Sequence, residues 1–109
     1  MDYPDTAARV AKSVARHEAD AGIVIDGAGI GSAIAANKIP GVRAAVCHDQ
    51  TMARYARQHN GANVLSLSAT LIETKDALDV VTTCLNTAMN EPRYIRRLAK
   101  IRALEEHGT

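Results

Sequence analysis

Between positions 26 and 32 the chain reads Asp26-Gly27-Ala28-Gly29-Ile30-Gly31-Ser32: a carboxylate, three alternate glycines and a hydroxyl. Alternate glycines let the backbone come close to a ligand and turn successive N–H groups toward an anion. Asp26 offers three kinds of chemistry: a helix cap, a general base, or a plain hydrogen-bond acceptor. On residue type alone capping is the favoured role, and a tight turn without a ligand stays open. The spacing is GxGxG, not GxGxxG, and no suitably placed acidic residue follows about 20 positions later, so the dinucleotide-binding fingerprint is not met. A second cluster lies near the other end of the chain. Arg93 and Arg97 are spaced to share one helix face, where they can clamp a phosphate. With Arg96, Lys100 and Arg102 they also read as a solvated basic face. His17, His48 and His107 have no metal-ligand spacing, so no metal site is expected. Cys47 and Cys84 form no CxxC and read as free, buried, small apolar residues, not nucleophiles.

The elements around these groups follow from periodicity and turn chemistry. Ala7, Val10, Ala11 and Val14 recur with helical spacing after Pro4, with Asp2 or Asp5 as cap. Ala21 to Ile25 reads as a buried strand that ends at Asp26. Ser32 suits the start of a short helix reaching Lys38, and Lys38-Ile39-Pro40-Gly41 is a turn. A second strand is predicted over 42–47, a helix over 50–58 broken by Asn60-Gly61, and a third strand over 63–67. Helices are predicted over 74–88, with Leu78, Val81 and Leu85 on one face, and from Pro92 to about Glu106. Alternating strands and helices imply an α/β fold, a Rossmann-like three-layer sandwich around a parallel sheet, in a single domain over 1–109. Three strands are few for such a sheet, so a further strand is expected to be missing or supplied by a partner.

Composition narrows the classes. A chain of 109 residues buries roughly two-thirds of its unfolded surface, enough for a modest core. Its only aromatic residues are three Tyr, so Ala, Val, Leu and Ile must fill that core. The net charge of +1 gives no broad basic field, and nucleic acid is not an expected partner. No apolar run approaches the ~20 residues of a membrane span, and the acidic N-terminus is no signal peptide. With its unpaired cysteines, the chain reads as cytoplasmic.

The stretch Gly22-Ile23-Val24-Ile25-Asp26-Gly27-Ala28-Gly29-Ile30-Gly31, followed by Ile34-Ala35-Ala36-Asn37-Lys38 and Gly41-Val42-Arg43-Ala44-Ala45, resembles the ribose-5-phosphate isomerase B family. There the pattern is close to GILICGTGIG and IAANKxxGIRAA. Arg57-Gln58-His59-Asn60 with Asn63-Val64-Leu65, the opening Asp2-Tyr3-Pro4, and the pair Arg93 and Arg97 extend the likeness. The resemblance implies an aldose–ketose isomerase acting on a phosphorylated sugar through a cis-enediolate, most simply ribose 5-phosphate to ribulose 5-phosphate. It implies Asp26 as the base and Gly27, Gly29 and Gly31 as the anion hole, with Ser32 beside it. It also implies His59 for ring opening, Asn60 and Tyr3 against the substrate, and Arg93 and Arg97 on the phosphate. The last four-residue-spaced pair and the histidine reach a neighbouring subunit's loop in the family, so a homodimer or homotetramer is implied. No cofactor is needed, because the adjacent carbonyl makes the proton acidic enough for a positioned base.

Three departures from the family pattern stand out. The base is usually Cys where this chain has Asp26, although a carboxylate can do the work, as the glutamate of triosephosphate isomerase shows. The family's N-terminal strand and helix are absent from this sequence, which predicts an unpaired strand edge. Leu67-Ser68-Ala69 leads into no arginine, whereas the family often has one there. Ile25-Asp26 with Gly29, Gly31 and Ser32 also resembles one of the two unlike subunits of galactose-6-phosphate isomerase. The alternative reading is therefore a non-catalytic or half-site subunit of a heteromer.

Overall fold

The computed structural model describes residues 2–89 and 91–107. Among these, the order is α1 (Tyr3–Ala15), β1 (Gly22–Asp26), α2 (Ile30–Ala36), β2 (Ala44–Val46), α3 (Gln50–Gln58), β3 (Val64–Ser68), α4 (Thr74–Leu85) and α5 (Pro92–His107). The strands form one parallel sheet in the order β1-β3-β2, with Gly22 opposite Val64 and Asp26 opposite Ser68. The chain crosses from β1 over β3 to β2 and then returns. Right-handed crossovers therefore put α2 on one face of the sheet and α3 on the other.

Two thin cores result, as the shortage of aromatics requires. Ala7, Ala11 and Val14 of α1 and Ala36 of α2 meet Val24, Val42 and Val64 on one face. Ala53 and Ala56 of α3 and Val80 and Cys84 of α4 meet Cys47, Leu65 and Leu67 on the other. Small side chains allow the close helix–sheet approach, and the three-layer α/β expectation holds. Alternation along β3 sends Leu65 and Leu67 toward α3 and α4, and Val64, Ser66 and Ser68 toward α1 and α2. That parity brings the Ser66 and Ser68 hydroxyls under the glycine turn.

Two expectations change. Ser32 does not start α2. The helix begins at Ile30 after Gly29, and Ser32 lies buried in its first turn, because Asp26 reaches forward and supplies the cap. The apolar face of α4 is also divided: Val80 and Cys84 are buried, whereas Leu78 and Leu85 stay 62% and 66% exposed. Leu85 instead borders an apolar groove with Ile23 and Val81 beside β1. Among the described residues nothing pairs with the outer side of β1, as expected for an edge, and Ile25 is exposed there.

Candidate functional site

Asp26 closes β1, and parity turns its side chain toward α2. One carboxylate oxygen, Oδ1, accepts from the Gly29 N–H. The other, Oδ2, accepts from the Ser32 N–H at 2.9 Å and the Ser32 hydroxyl at 2.7 Å. The Ser32 hydroxyl is the main reason the Asp26 pKa falls below the ordinary aspartate value; desolvation opposes it, and the Ser32 and Gly29 N–H groups add to it. The carboxylate stays ionised at neutral pH. Of its roughly four lone-pair positions three are used, so one remains to accept a proton.

The turn's shape depends on two of its glycines. Gly29 has φ 79°, and a Cβ there would stand 3.0 Å from the Leu67 carbonyl carbon and 3.1 Å from the Ser68 nitrogen. Gly31 lies beneath the Tyr3 ring, where a Cβ would come within 2.6 Å of Cε1. Gly27 borders open space. Tyr3, Asp26, Gly27, Gly29, Gly31 and Ser32 thus form one cluster at the C-terminal ends of β1 and β3, where α/β sheets bind ligands.

The other expected residues do not join it. His59 follows the last turn of α3 and Asn60 the residue after, both leading into the start of β3, so they lie at the N-terminal end of the sheet. There His59 stacks between Tyr55 and Tyr94, with ring centroids 4.7 and 4.6 Å apart. Arg93 and Arg97 both lie over the Tyr94 ring, at 4.7 and 5.9 Å from its centroid. Arg93 is tied to the Tyr94 hydroxyl at 2.8 Å and to Glu91 at 2.8 Å. Asn60 donates to the Tyr55 carbonyl at 3.1 Å. Tyr94, only 6% exposed, is the platform of this second cluster, and sequence reading missed it. A tyrosine directly following Arg93 on a largely polar helix was the available signal.

A cavity of about 650 Å³ also lies at the N-terminal end of the sheet, against Arg43, Arg57, Asn63 and Arg102. Its cations already have partners. Arg43 donates to the Gly61 carbonyl at 3.0 Å, Arg57 to the carbonyls of Ala62 and Thr87, and Arg102 to Glu106. No group of His, Cys, Asp and Glu among the described residues could hold a metal ion. Both cysteines are free and buried, and burial raises the Cys47 pKa to about 11, so it stays a thiol. No helix of the described residues is long and apolar enough to cross a membrane.

A doubly wound α/β sheet with a glycine turn and a carboxylate at its strand ends defines a Rossmann-like α/β protein with its candidate site at the C-terminal ends of the strands. The chain belongs to the ribose/galactose isomerase family, whose sequence profile matches residues 1–101. Ribose-5-phosphate isomerase B of Escherichia coli is 40% identical over 105 residues, covering 96% of this chain and 70% of that one. The type B ribose 5-phosphate isomerase of Trypanosoma cruzi superimposes with a TM-score of 0.95 at 46% identity, over 97% of this chain and 71% of that one. The Mycoplasma genitalium enzyme, solved with bound ribulose-5-phosphate, superimposes with a TM-score of 0.94 at 39% identity, over 98% of this chain and 71% of that one.

Proposed function

We propose that this chain is an aldose–ketose isomerase of phosphorylated sugars, interconverting ribose 5-phosphate and ribulose 5-phosphate through a cis-enediolate. The observation that carries the reading is the Asp26 carboxylate held in the glycine turn beneath Tyr3, in a chain 40% identical to a ribose-5-phosphate isomerase B. Asp26 removes the proton beside the carbonyl with its remaining lone pair. Amides of the Gly27–Gly31 turn hold the oxygen on which negative charge develops; such donors are typically worth about 10²–10³ in rate each. Tyr3 flanks the sugar, and Ser32 lies buried behind the base. The Ser32 hydroxyl keeps the base ionised and oriented.

His59, Asn60, Arg93 and Arg97 act at the same substrate only if a second copy brings its N-terminal sheet end against the first copy's glycine turn. The separation of the two clusters within one chain supports a homodimer, or a homotetramer built from it, with composite sites. Arg93 and Arg97 then bind the phosphate by charge-assisted hydrogen bonds, and His59 opens the ring. The curated relatives carry the names ribose-5-phosphate isomerase B or putative sugar phosphate isomerase, which favours this reading over a half-site subunit of a heteromer. Two free, buried thiols support a cytoplasmic setting.

The test is turnover of ribose 5-phosphate by the purified chain, by Asp26→Asn, by Arg97→Ala, and by the two variants refolded together. Asp26→Asn is expected to lose about 10²–10⁴ in kcat. In hybrid dimers one composite site carries both defects and the other carries none, so a statistical mixture recovers about a quarter of the activity. A mixture no better than its components would refute the composite site. Near-normal turnover by Asp26→Asn would refute the base.

A further inference from the structure

Buried hydroxyls at the end of β3 set the glycine turn from below. Ser66 is wholly buried and Ser68 nearly so, both on a strand whose every residue is buried. The Ser66 hydroxyl donates to the Gly29 carbonyl. The Ser68 hydroxyl donates to the Gly27 carbonyl at 2.7 Å and accepts from the Leu71 N–H at 2.8 Å. Thr70 adds two more donors to the same Gly27 carbonyl, its hydroxyl at 2.7 Å and its N–H at 3.2 Å. Three donors on one carbonyl, and a buried hydroxyl on the next but one, leave the turn little rotational freedom.

The consequence follows from peptide geometry. In a trans peptide the N–H points opposite to the C=O of the same unit. The Gly27 carbonyl shares its unit with the Ala28 N–H, and the Gly29 carbonyl with the Ile30 N–H. Pulling both carbonyls down onto β3 therefore turns the Ala28 and Ile30 N–H groups away from the sheet, out over the strand ends. The N–H groups of Gly29 and Ser32, in contrast, are already taken by Asp26. The contact of the Gly29 backbone with Leu67 and Ser68 keeps the turn against the strand.

We propose that Ser66, Ser68 and Thr70 are positioning residues for the isomerisation: through the Gly27 and Gly29 carbonyls they aim the Ala28 and Ile30 amides at the enediolate oxygen. This rests on the proposed function and assigns which amides of the turn do the work. Ser66 and Ser68 lie buried beneath the turn, and Thr70 holds the Gly27 carbonyl from the exposed side. Their hydroxyls set the direction of donors whose value depends on being preorganised toward the developing charge.

The test compares Ser66→Ala, Ser68→Ala and Thr70→Ala with the conservative Thr70→Ser, in the intact oligomer. Each alanine variant is expected to lose roughly tenfold in kcat, with the KM for ribose 5-phosphate changed less than about twofold. Affinity for a hydroxamate analogue of the enediolate should fall in parallel with kcat, and Thr70→Ser should restore both. Alanine variants that stay folded with unchanged kcat, or that lose only KM, would overturn the proposal. A readout independent of turnover accompanies these: the ¹⁵N–¹H resonances of Ala28 and Ile30 should move in Ser68→Ala and Ser66→Ala respectively. Unmoved amides overturn the clamp even if the wild-type chain proves inactive on ribose 5-phosphate, which would count against the proposed function alone.

Discussion

The two ends of the sheet are built on different principles. At the C-terminal end the glycine turn is closed by hydrogen bonds from its own chain: Asp26 takes the Gly29 and Ser32 amides, and β3 hydroxyls take the Gly27 and Gly29 carbonyls. Backbone direction is the product there, and few side chains project. At the N-terminal end, His59, Tyr94, Arg93 and Arg97 form a stack of rings and cations on one buried tyrosine. Charge is the product there, presented outward from an exposed helix face. In the proposed isomerase the first end would stabilise a small developing charge at fixed direction, and the second would hold a whole phosphate, whose position tolerates more movement. A proton transfer and an anion clamp need these two kinds of rigidity.

Removing the platform of the second end should have the largest effect. Tyr94→Ala is expected to cost about 3 kcal/mol by chemical denaturation, and to raise KM more than it lowers kcat. Tyr94→Phe keeps the stack and loses one part-buried hydrogen bond, so about 1 kcal/mol is expected. At the first end, Gly29→Ala forces a Cβ against the Leu67–Ser68 backbone at φ 79°. It should cost about 1–3 kcal/mol and, in contrast, lower kcat more than it changes KM. If the two substitutions shift kcat and KM alike, the division of labour between the ends is wrong.

Asp26→Asn probes the cap itself and should cost about 1 kcal/mol at neutral pH. The sign with pH follows from the lowered pKa: the carboxylate's contribution is fully present above the ordinary value of 3.8 and is lost as pH falls through the lower folded value. The stability gap between wild type and Asp26→Asn should therefore be constant above about pH 5 and close under more acid conditions. A gap that closes near neutrality would contradict the geometry of the cap. The smallest effect concerns Cys47, which belongs to neither end. With its pKa raised to about 11 by burial, it should resist alkylation in the folded state at about pH 8 and react on unfolding.

Local pattern carried much of this protein. The order of strands and helices, the turn at Gly27 to Gly31 and the helical sharing of a face by Arg93 and Arg97 were legible because each depends on residues a few positions apart. The likeness of motifs extended this to a family and to candidate roles. Three matters were decided only by tertiary structure. Of two residues that read as caps from the sequence, Asp26 and not Ser32 caps α2, because strand parity and the turn's curl bring the carboxylate onto the Ser32 N–H six residues on. Leu78 and Leu85 face outward, since which part of an apolar helix stripe is buried depends on where the sheet ends beneath it. Ser66 and Ser68 look like weak points in a buried strand until the fold sets them under the turn. Their hydroxyls find carbonyls 37 and 41 residues away in sequence, a distance at which no local pattern carries a signal.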